Sequence, residues 1–275
     1  MTISNCICAV VVFFCCILAG PAVAATAEVN GIQLYYEIHG RGTPVVMLHG
    51  GYADSDMWRI QSKLLARRYQ VIEIDSRGHG RSTDGQVPIT YGQMADDTLA
   101  LLDQLQIPTA HFVGWSDGAV IASHIAARHP ERVDQLVLIG AAFQGNVYVN
   151  IFSALLGKDI LFNVAMDLLF SPKYKAVNPD PDNWRTFRDK LHALWQSPCY
   201  FEDQPEETCL EPLQSIAAPT LVMAGKLEII EQSHTRAIAE AIPNAQLEIV
   251  AGAGHFLPIT RPYTTAELTL EFFGN

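Results

Sequence analysis

Short apolar runs alternate with segments of helical periodicity along most of the chain. The six runs occupy residues 45–48, 71–74, 111–113, 136–139, 220–223 and 247–250. Their apolar positions are largely continuous, as in strands that are buried on both faces. Helical spacing of apolar residues occurs at 57–67, 91–105, 119–128, 232–241 and 262–273. This alternation predicts an α/β fold with a mostly parallel sheet flanked by helices.

Two parts of the chain depart from the alternation. Residues 29–38 alternate in polarity around Asn30-Gly31, which predicts an antiparallel hairpin at the start of the sheet. Between about residues 143 and 213 there is no strand run, and helical patterns at 151–170 and 183–195 flank a proline-rich break. We interpret this region as a helical cap insertion over the carboxyl edge of the sheet, where open α/β sheets bind ligands.

The first 25 residues predict a signal peptide. No Asp, Glu, His, Lys or Arg occurs before residue 28, residues 7–18 are almost wholly apolar, and small residues lead to Ala24 and Ala25. Cleavage there would leave a periplasmic or secreted domain over residues 26–275, without a stable membrane association. An uncleaved anchor is the alternative, because residues 1–5 lack the usual basic residue, although the apolar run is short for a bilayer span.

Composition and charge narrow the classes of partner. Hydrophobic residues make up 49% of the chain and charged residues 17%, which is typical of a globular protein with a large core. A length of 275 residues fits a single α/β domain. The formal charge of −11 repels phosphate backbones, so we expect no nucleic-acid partner.

Two cysteines remain once the predicted signal peptide is removed. Cys199 and Cys209 lie ten residues apart in a loop rich in Pro, Asp and Glu. In an oxidising compartment this spacing predicts a disulfide, and closing the loop would stabilise the fold by about 3 kcal/mol. Two unrelated thiols are the alternative. Neither zinc-finger spacing nor a His-Glu-x-x-His motif occurs, so we expect no metal site.

One motif predicts a catalytic nucleophile. Gly114-Trp115-Ser116-Asp117-Gly118 lies between the strand run at 111–113 and the helix at 119–128. In that context Gly-x-Ser-x-Gly forms a strained turn that exposes the serine hydroxyl above the sheet. The motif therefore predicts that Ser116 is a nucleophile; a phosphate-binding turn or a plain tight turn is the alternative.

A nucleophilic serine requires a base, and the base requires a carboxylate. His255 follows the last strand run, which places it at the same sheet edge as Ser116. Glu228 follows the strand run at 220–223 and is the predicted partner of His255. Glu231 is the competing candidate, although an acidic residue there would also stabilise the start of the next helix.

Two backbone N–H groups are candidates for binding an oxyanion. The first is that of Asp117, at the start of the helix after Ser116. The second lies in His49-Gly50-Gly51-Tyr52, where glycines let the main chain approach closely. Gly51 is the favoured donor and Tyr52 the alternative; a β-to-α turn without a ligand role would explain the same residues.

These motifs, in this order, resemble those of the α/β-hydrolase fold family over residues 29–273. The matching segments are 49–51, 75–82, 114–118 and 254–255. The resemblance implies a cofactor-free hydrolase in which the segment at 75–82 is mainly structural, and we expect Asp75 to pair with Arg77 there. The family usually has Asp as the acid of the triad, whereas this chain offers Glu228.

The nucleophile separates branches of the family. Dehalogenases and epoxide hydrolases need Asp at the position of Ser116. The segment Gly-Trp-Ser-Asp-Gly resembles the valacyclovir-hydrolase branch, which cleaves amino-acid esters and uses the Asp after the nucleophile to contact the substrate ammonium. The resemblance thus implies that Asp117 binds substrate, with capping of the elbow helix as its alternative role. Tyr52 and Trp115 are the other predicted substrate-binding residues.

The sequence therefore predicts an exported serine hydrolase that cleaves small-molecule carboxylic esters through an acyl-enzyme. A lactonase, a carbon–carbon bond hydrolase, a perhydrolase or an acyltransferase would use the same residues, because the fold does not set the substrate. A slow-turnover ligand-binding receptor is the alternative outside the enzymes.

Overall fold

The computed structural model describes residues 23–149 and 159–274, and its strands form one eight-stranded sheet. The strands are β1 Val23–Val29, β2 Ile32–Gly40, β3 Pro44–Leu48, β4 Gln70–Ile74, β5 Ala110–Trp115, β6 Val133–Ile139, β7 Thr220–Leu227 and β8 Ala245–Gly254. Their order across the sheet is β1-β2-β4-β3-β5-β6-β7-β8. β2 pairs antiparallel with β1 and β4, and all other pairs are parallel. This arrangement confirms the predicted α/β class and the mostly parallel sheet.

Burial on both faces explains why the central strands are visible in the sequence. In β3, Val46 and Leu48 pack into the apolar core on one side of the sheet. Val45 and Met47 of the same strand pack into the core on the other side. All four side chains are almost completely buried, so the strand has no polar face and its sequence is a continuous apolar run.

The predicted hairpin at the start of the sheet is confirmed. Val29 pairs with Ile32, and Asn30 and Gly31 between them have φ angles of 44° and 78°. Positive φ at both central residues is typical of a two-residue type I′ turn, whose twist matches that of the strands.

Most of the predicted signal peptide lies outside the described residues, which begin at Val23. β1 starts at that residue, and its first three residues pair with Ile38, Glu37 and Tyr36 of β2. Cleavage after Ala25 would remove this more exposed end of β1 and leave residues 26–29 to pair with β2.

Helices cover both faces of the sheet. They are α1 Arg59–Leu65, α2 Tyr91–Gln104, α3 Asp117–Arg128, α4 Asp159–Leu169, α5 Ser171–Val177, α6 Trp184–Trp195, α7 Gln232–Ala241, α8 Leu257–Thr260 and α9 Pro262–Gly274. The helix predicted at 57–67 is a 3₁₀ turn, Ser55–Trp58, followed by the shorter α1. α5 and α8 have no counterpart among the predicted helices. Among the described residues, none of the helices is long and apolar enough to cross a membrane.

The insertion between β6 and β7 contains α4, α5 and α6. The part of its first predicted helix at 151–158 lies outside the described residues. Phe187 of α6 packs beside Gly78, and the α5 residue Tyr174 stacks on Phe187, so these helices lie over the loops that follow the strands. Cys199 and Cys209 form a disulfide in this insertion, with their Cα atoms 5.5 Å apart.

The expectation that Asp75 pairs with Arg77 is wrong. Asp75 accepts a hydrogen bond from Arg81 Nε at 2.7 Å. Arg77 instead donates from Nε and Nη2 to the two carboxylate oxygens of Asp97, at 2.8 and 2.7 Å. The backbone turn between Asp75 and Arg81 explains this pairing. Gly80 in that turn has a φ of 48°, and a Cβ there would lie 2.6 Å from the carboxylate carbon of Asp75. The turn therefore brings Arg81 back to Asp75.

Candidate active site

Ser116 occupies a strained turn between β5 and α3. Its φ and ψ are 53° and −117°, outside the regions that L-residues prefer, and its N–H donates to the Ile139 carbonyl at 2.8 Å. The flanking glycines make the turn sterically feasible. A Cβ at Gly114 would lie 2.6 Å from the Cα of Ala119, and one at Gly118 would lie 2.6 Å from the carbonyl oxygen of His49. The structure therefore contains the predicted nucleophile elbow geometry.

The three predicted triad residues form one chain of hydrogen bonds. His255 Nε2 lies 3.1 Å from Ser116 Oγ, and His255 Nδ1 lies 2.6 Å from Glu228 Oε1. Because the Glu228 carboxylate accepts from Nδ1–H, Nε2 is left free to accept the serine proton. The residues come from three separate elements, which end at the same edge of the sheet.

Glu228 is held in place for this contact. It is 8% exposed, and the Ile229 N–H donates to its Oε1 at 2.9 Å. Gly140 leaves room for the pair, since a Cβ there would lie 3.2 Å from His255 Nδ1 and 3.3 Å from Glu228 Oε2. Glu231 is exposed, and its Oε2 accepts a long 3.4 Å contact from Ser233. The structure brings Glu228 to His255 and leaves Glu231 at the start of α7.

The loop after β3 runs against the elbow. A Cβ at Gly50 would lie 3.1 Å from the Cβ of Ser116, and one at Gly51 would lie 2.7 Å from Asp117 Oδ2. Asp117 is the first residue of α3, so its N–H has no acceptor within the helix. The two predicted oxyanion donors therefore lie on adjoining segments beside Ser116, and their role in binding an oxyanion stays a prediction.

His49 orients the first of these segments. Its Nε2 accepts from the Ser76 N–H at 3.0 Å, so Nδ1 carries the proton and donates to the Gly50 carbonyl at 2.8 Å. Burial lowers the pKa of His49, which keeps the ring neutral. The Gly50 carbonyl and the Gly51 N–H belong to one planar peptide, so fixing the carbonyl also fixes the direction of the N–H.

The side chain of Trp115 is buried beside the loop that carries His255. Its side chain is 3% exposed and belongs to the core on the α1 side of the sheet. Its Nε1 donates to the His255 carbonyl at 2.7 Å, and the two rings are 5.4 Å apart. A side chain buried in this way supports the loop that carries His255, and its predicted role in binding substrate stays a prediction.

The Asp117 carboxylate contacts two side chains of other elements, and the predicted contact with a substrate ammonium stays a prediction. Its carboxylate is buried, with the residue 6% exposed, and accepts hydrogen bonds from Tyr91 Oη and from Trp195 Nε1, each at 3.0 Å. It therefore bonds two side chains and does not cap the elbow helix. Burial raises the pKa of Asp117 to about 6.

Tyr52 lies between the elbow loop and the cap. Its φ is 58°, its Oη donates to the Arg188 carbonyl at 3.1 Å, and its ring meets that of Trp195 edge-on at 5.2 Å. Burial raises its pKa far above the usual range, so the hydroxyl stays protonated. Its half-buried ring is compatible with the predicted role in binding substrate, which stays a prediction.

Sequence reasoning missed Trp195, Tyr91 and the positioning role of His49. Trp195 is 78 residues from Asp117 and Tyr91 is 26 residues from it, and no local pattern links residues at such distances. The signal available for His49 was its place before two glycines that follow a buried strand.

One cluster among the described residues has the composition of a metal site, and it lies outside the triad. It consists of Glu37, His39 and Glu73 on β2 and β4. His39 Nε2 is 2.9 Å from Glu73 Oε2 and 3.2 Å from Glu37 Oε2, and these contacts raise the pKa of His39. We interpret the cluster as an ion-pair group that joins the two strands.

Comparison with known proteins places this geometry in a family. A family model for the α/β-hydrolase fold matches residues 43–167. The putative carbamate hydrolase RutD of Azorhizobium caulinodans is 29% identical over 256 residues, covering 88% of this chain and 95% of that protein. The dihydrolipoyllysine-residue acetyltransferase component of an acetoin cleaving system from Pseudomonas putida is 30% identical, covering 92% of this chain and 70% of that protein.

Solved structures agree with these relatives. An enol-lactonase from Burkholderia xenovorans superimposes with a TM-score of 0.69 at 26% identity, over 91% of this chain and 100% of its own. Est816, an N-acyl homoserine lactone degrading enzyme, gives a TM-score of 0.69 at 29% identity, over 90% of this chain and 99% of its own. The chain belongs to the α/β-hydrolase fold family, as the order of its motifs predicted.

Proposed function

We propose that this hydrolase cleaves small carboxylic esters through an acyl-enzyme intermediate. The observation that carries the proposal is the continuous hydrogen-bond chain from Ser116 Oγ through His255 to Glu228, with distances of 3.1 and 2.6 Å. A serine in this arrangement is activated for attack on a carbonyl carbon.

The geometry supports a two-step acyl transfer. Ser116 Oγ attacks the carbonyl carbon while its proton moves to His255 Nε2, and the Glu228 carboxylate stabilises the imidazolium. The N–H groups of Gly51 and Asp117 bind the oxyanion of the tetrahedral intermediate. As the intermediate collapses, His255 gives the proton to the departing alcohol oxygen. Water then attacks the acyl-enzyme by the same route, and the acid is released.

A lactone is the second candidate substrate, because it is a cyclic ester that the same steps would open. Two of the similar structures are described as an enol-lactonase and as an N-acyl homoserine lactone degrading enzyme, at 26% and 29% identity. The RutD relatives are described as putative carbamate hydrolases, so a carbamate belongs in the same substrate panel.

We also propose that the enzyme acts after export, in the periplasm or the extracellular medium. The apolar, uncharged segment at 7–18 and the small residues that follow it support this placement. The Cys199–Cys209 bond supports it as well, because disulfides persist mainly in oxidising compartments.

A substrate panel tests the proposed function. Purified protein is assayed with p-nitrophenyl acetate and butyrate, with unsubstituted and N-acylated lactones, and with an aryl carbamate, beside Ser116→Ala. We expect repeated turnover of the esters by the wild type and loss of at least about 10³-fold in kcat/KM in Ser116→Ala. One equivalent of product followed by no turnover would identify a receptor. Retained activity in Ser116→Ala would refute the mechanism.

A further inference from the structure

The buried carboxylate of Asp117 links the cap to the nucleophile elbow by hydrogen bonds. Trp195, the last residue of α6, donates from Nε1 to both carboxylate oxygens at 3.0 Å. Tyr91, the first residue of α2, donates to Oδ1 at 3.0 Å. The residue that follows the nucleophile in the sequence therefore hydrogen-bonds an indole of the cap.

Three further contacts fix the position of the Trp195 ring. A Cβ at Gly51 would lie 3.2 Å from Trp195 Cη2, so the ring packs directly on the predicted oxyanion segment. Tyr52 meets the ring edge-on at 5.2 Å, and Phe162 of α4 meets it at 6.1 Å. The Tyr200 hydroxyl donates to the Trp195 carbonyl at 2.9 Å and holds the main chain at the end of α6.

The chemistry of acyl transfer indicates which part of a substrate meets this ring. The carbonyl carbon in the intermediate bonds Ser116 Oγ, the oxyanion, the departing oxygen and the acyl chain. The departing oxygen must lie within reach of His255 Nε2, which protonates it, and the oxyanion must lie beside the Gly51 N–H. The acyl chain is the remaining substituent. The Trp195 ring packs on the Gly51 segment, which the proposed mechanism places beside the substrate carbonyl.

We propose that Asp117 is a positioning residue that fixes Trp195 as the end wall of the acyl pocket, which restricts this enzyme to short acyl chains. The inference rests on the proposed ester hydrolysis. It assigns the carboxylate a partner within the protein, since both of its oxygens already accept from Trp195 Nε1. An ammonium group on the substrate is therefore not needed to explain why a carboxylate occurs here.

A chain-length series tests the wall. p-Nitrophenyl esters from acetate to octanoate keep the departing group constant, and the measured quantity is the ratio of kcat/KM for octanoate to that for acetate. We expect Trp195→Ala to raise this ratio by about tenfold or more, because the removed ring would open space for several methylene groups. A series of acetates with longer alcohols should show no such change.

Conservative variants distinguish the effect of the hydrogen bond between Trp195 and Asp117 from the effect of the Trp195 ring itself. Trp195→Phe keeps an aromatic ring but removes Nε1–H, and Asp117→Asn keeps the shape of the carboxylate while weakening its acceptors. Each should raise the octanoate-to-acetate ratio by about threefold, and the double variant should raise it by less than the product of the two, because one change weakens and the other removes the same hydrogen bond. Trp184→Phe is the matched control. It removes an indole N–H from the same helix, but that N–H donates to Asp167 and not to Asp117.

The outcomes distinguish the inference from the proposed function. A raised ratio in the Trp195 and Asp117 variants, with an unchanged ratio in Trp184→Phe, would support the wall. An unchanged ratio in Trp195→Ala, in a protein that still hydrolyses acetate, would overturn the wall and leave ester hydrolysis intact. A wild type that hydrolyses no ester would overturn both. Thermal unfolding of each variant identifies any that fail to fold, and Trp195→Ala decides the question without the Asp117 variant.

Discussion

At the scale of single residues, the site depends on hydrogen bonds that leave each group one chemical role. His255 has one nitrogen bound to Glu228 and the other beside Ser116, so its two nitrogens have different tasks. His49 likewise has one nitrogen that accepts from Ser76 and one that donates to Gly50. Because each tautomer is fixed, His255 can act as a base toward Ser116 and His49 can hold the main chain at Gly50.

The choice of triad acid gives the first prediction. We expect Glu228→Gln to lower kcat by about 10² to 10⁴-fold, because an amide can bind the wrong tautomer of His255 and carries no charge to stabilise the imidazolium. Glu231→Gln is the matched control and should change kcat less than twofold, since its side chain is exposed. Steady-state hydrolysis of p-nitrophenyl acetate measures both, and the opposite ranking would move the acid to Glu231.

The oxyanion segment gives the second prediction. His49→Ala removes the donor to the Gly50 carbonyl, so the Gly51 N–H loses its fixed direction. We expect kcat to fall by about 10- to 100-fold while KM changes less, as for an interaction made mainly in the transition state. His129→Ala, at a partly exposed histidine, is the control. Equal kcat values in His49→Ala and the wild type would show that Gly51 does not depend on this ring.

Residues with a local signal were predictable, and residues paired over long distances were not. Ser116 lies in a five-residue motif with a strand before it and a helix after it, which identifies it without any tertiary contact. The carboxylate beside it carries no such signal, because its partner Trp195 reaches it from another part of the chain. Arg77 and Arg81 compete for Asp75 over a few residues, and only the backbone turn decides between them.

At the scale of elements, the ion-pair group on β2 and β4 predicts a pH-dependent stability. The hydrogen bond to Glu73 raises the pKa of His39 above its ordinary value of 6.5. A histidine whose pKa is raised on folding stabilises the protein fully below 6.5, and the contribution is lost as the pH rises through the folded-state pKa. β2 would thus be joined to β4 more firmly in mild acid.

The test compares the wild type with His39→Gln by urea unfolding. We expect the difference in the free energy of unfolding to be larger at about pH 6 than at about pH 9, where the imidazole is neutral in both states. His129→Gln, beside the exposed Glu131, is the control. A difference for His39→Gln that is the same at both pH values would show that the ring does not carry the charge.

The elements themselves were predictable to the extent that burial left a pattern. Strands buried on both faces produced most of the apolar runs, although β8, at the edge of the sheet, is only half-buried. α7 was predicted over its full length because it has one apolar face. α8 is a four-residue helix, too short for a periodic pattern to develop. The contacts of the cap could not be predicted, because they depend on how α6 crosses the loops after the strands.

At the scale of the whole molecule, the proposed export and the disulfide should be observed together. Protein recovered from the exported fraction is expected to begin near residue 25 or 26 and to contain no free thiol, because Cys199 and Cys209 are bonded. Replacing both by Ser should lower the free energy of unfolding by about 2 to 4 kcal/mol, and a reductant should destabilise only the wild type. Intact mass with and without alkylation checks the bond. Two free thiols in exported protein would contradict it.

The fold identifies the family of the chain, but it does not identify the substrate. Relatives of similar identity are described as carbamate hydrolases, an acetyltransferase component and lactone-cleaving enzymes. The sheet and the triad support all of these acyl-transfer reactions, and the differences lie in the cap and the loops. Substrate choice therefore depends on residues such as Trp195, whose contacts appear only in the folded protein.

Labelling with a fluorophosphonate tests the central claim, that Ser116 is a nucleophile activated by His255 and Glu228, most directly. The probe reacts covalently with an activated serine, and mass spectrometry of the digested protein identifies the modified residue. We predict one equivalent of label on Ser116, no label in Ser116→Ala, and a labelling rate lowered by at least about 10²-fold in His255→Ala. Label on another residue, or an unchanged rate in His255→Ala, would contradict the claim.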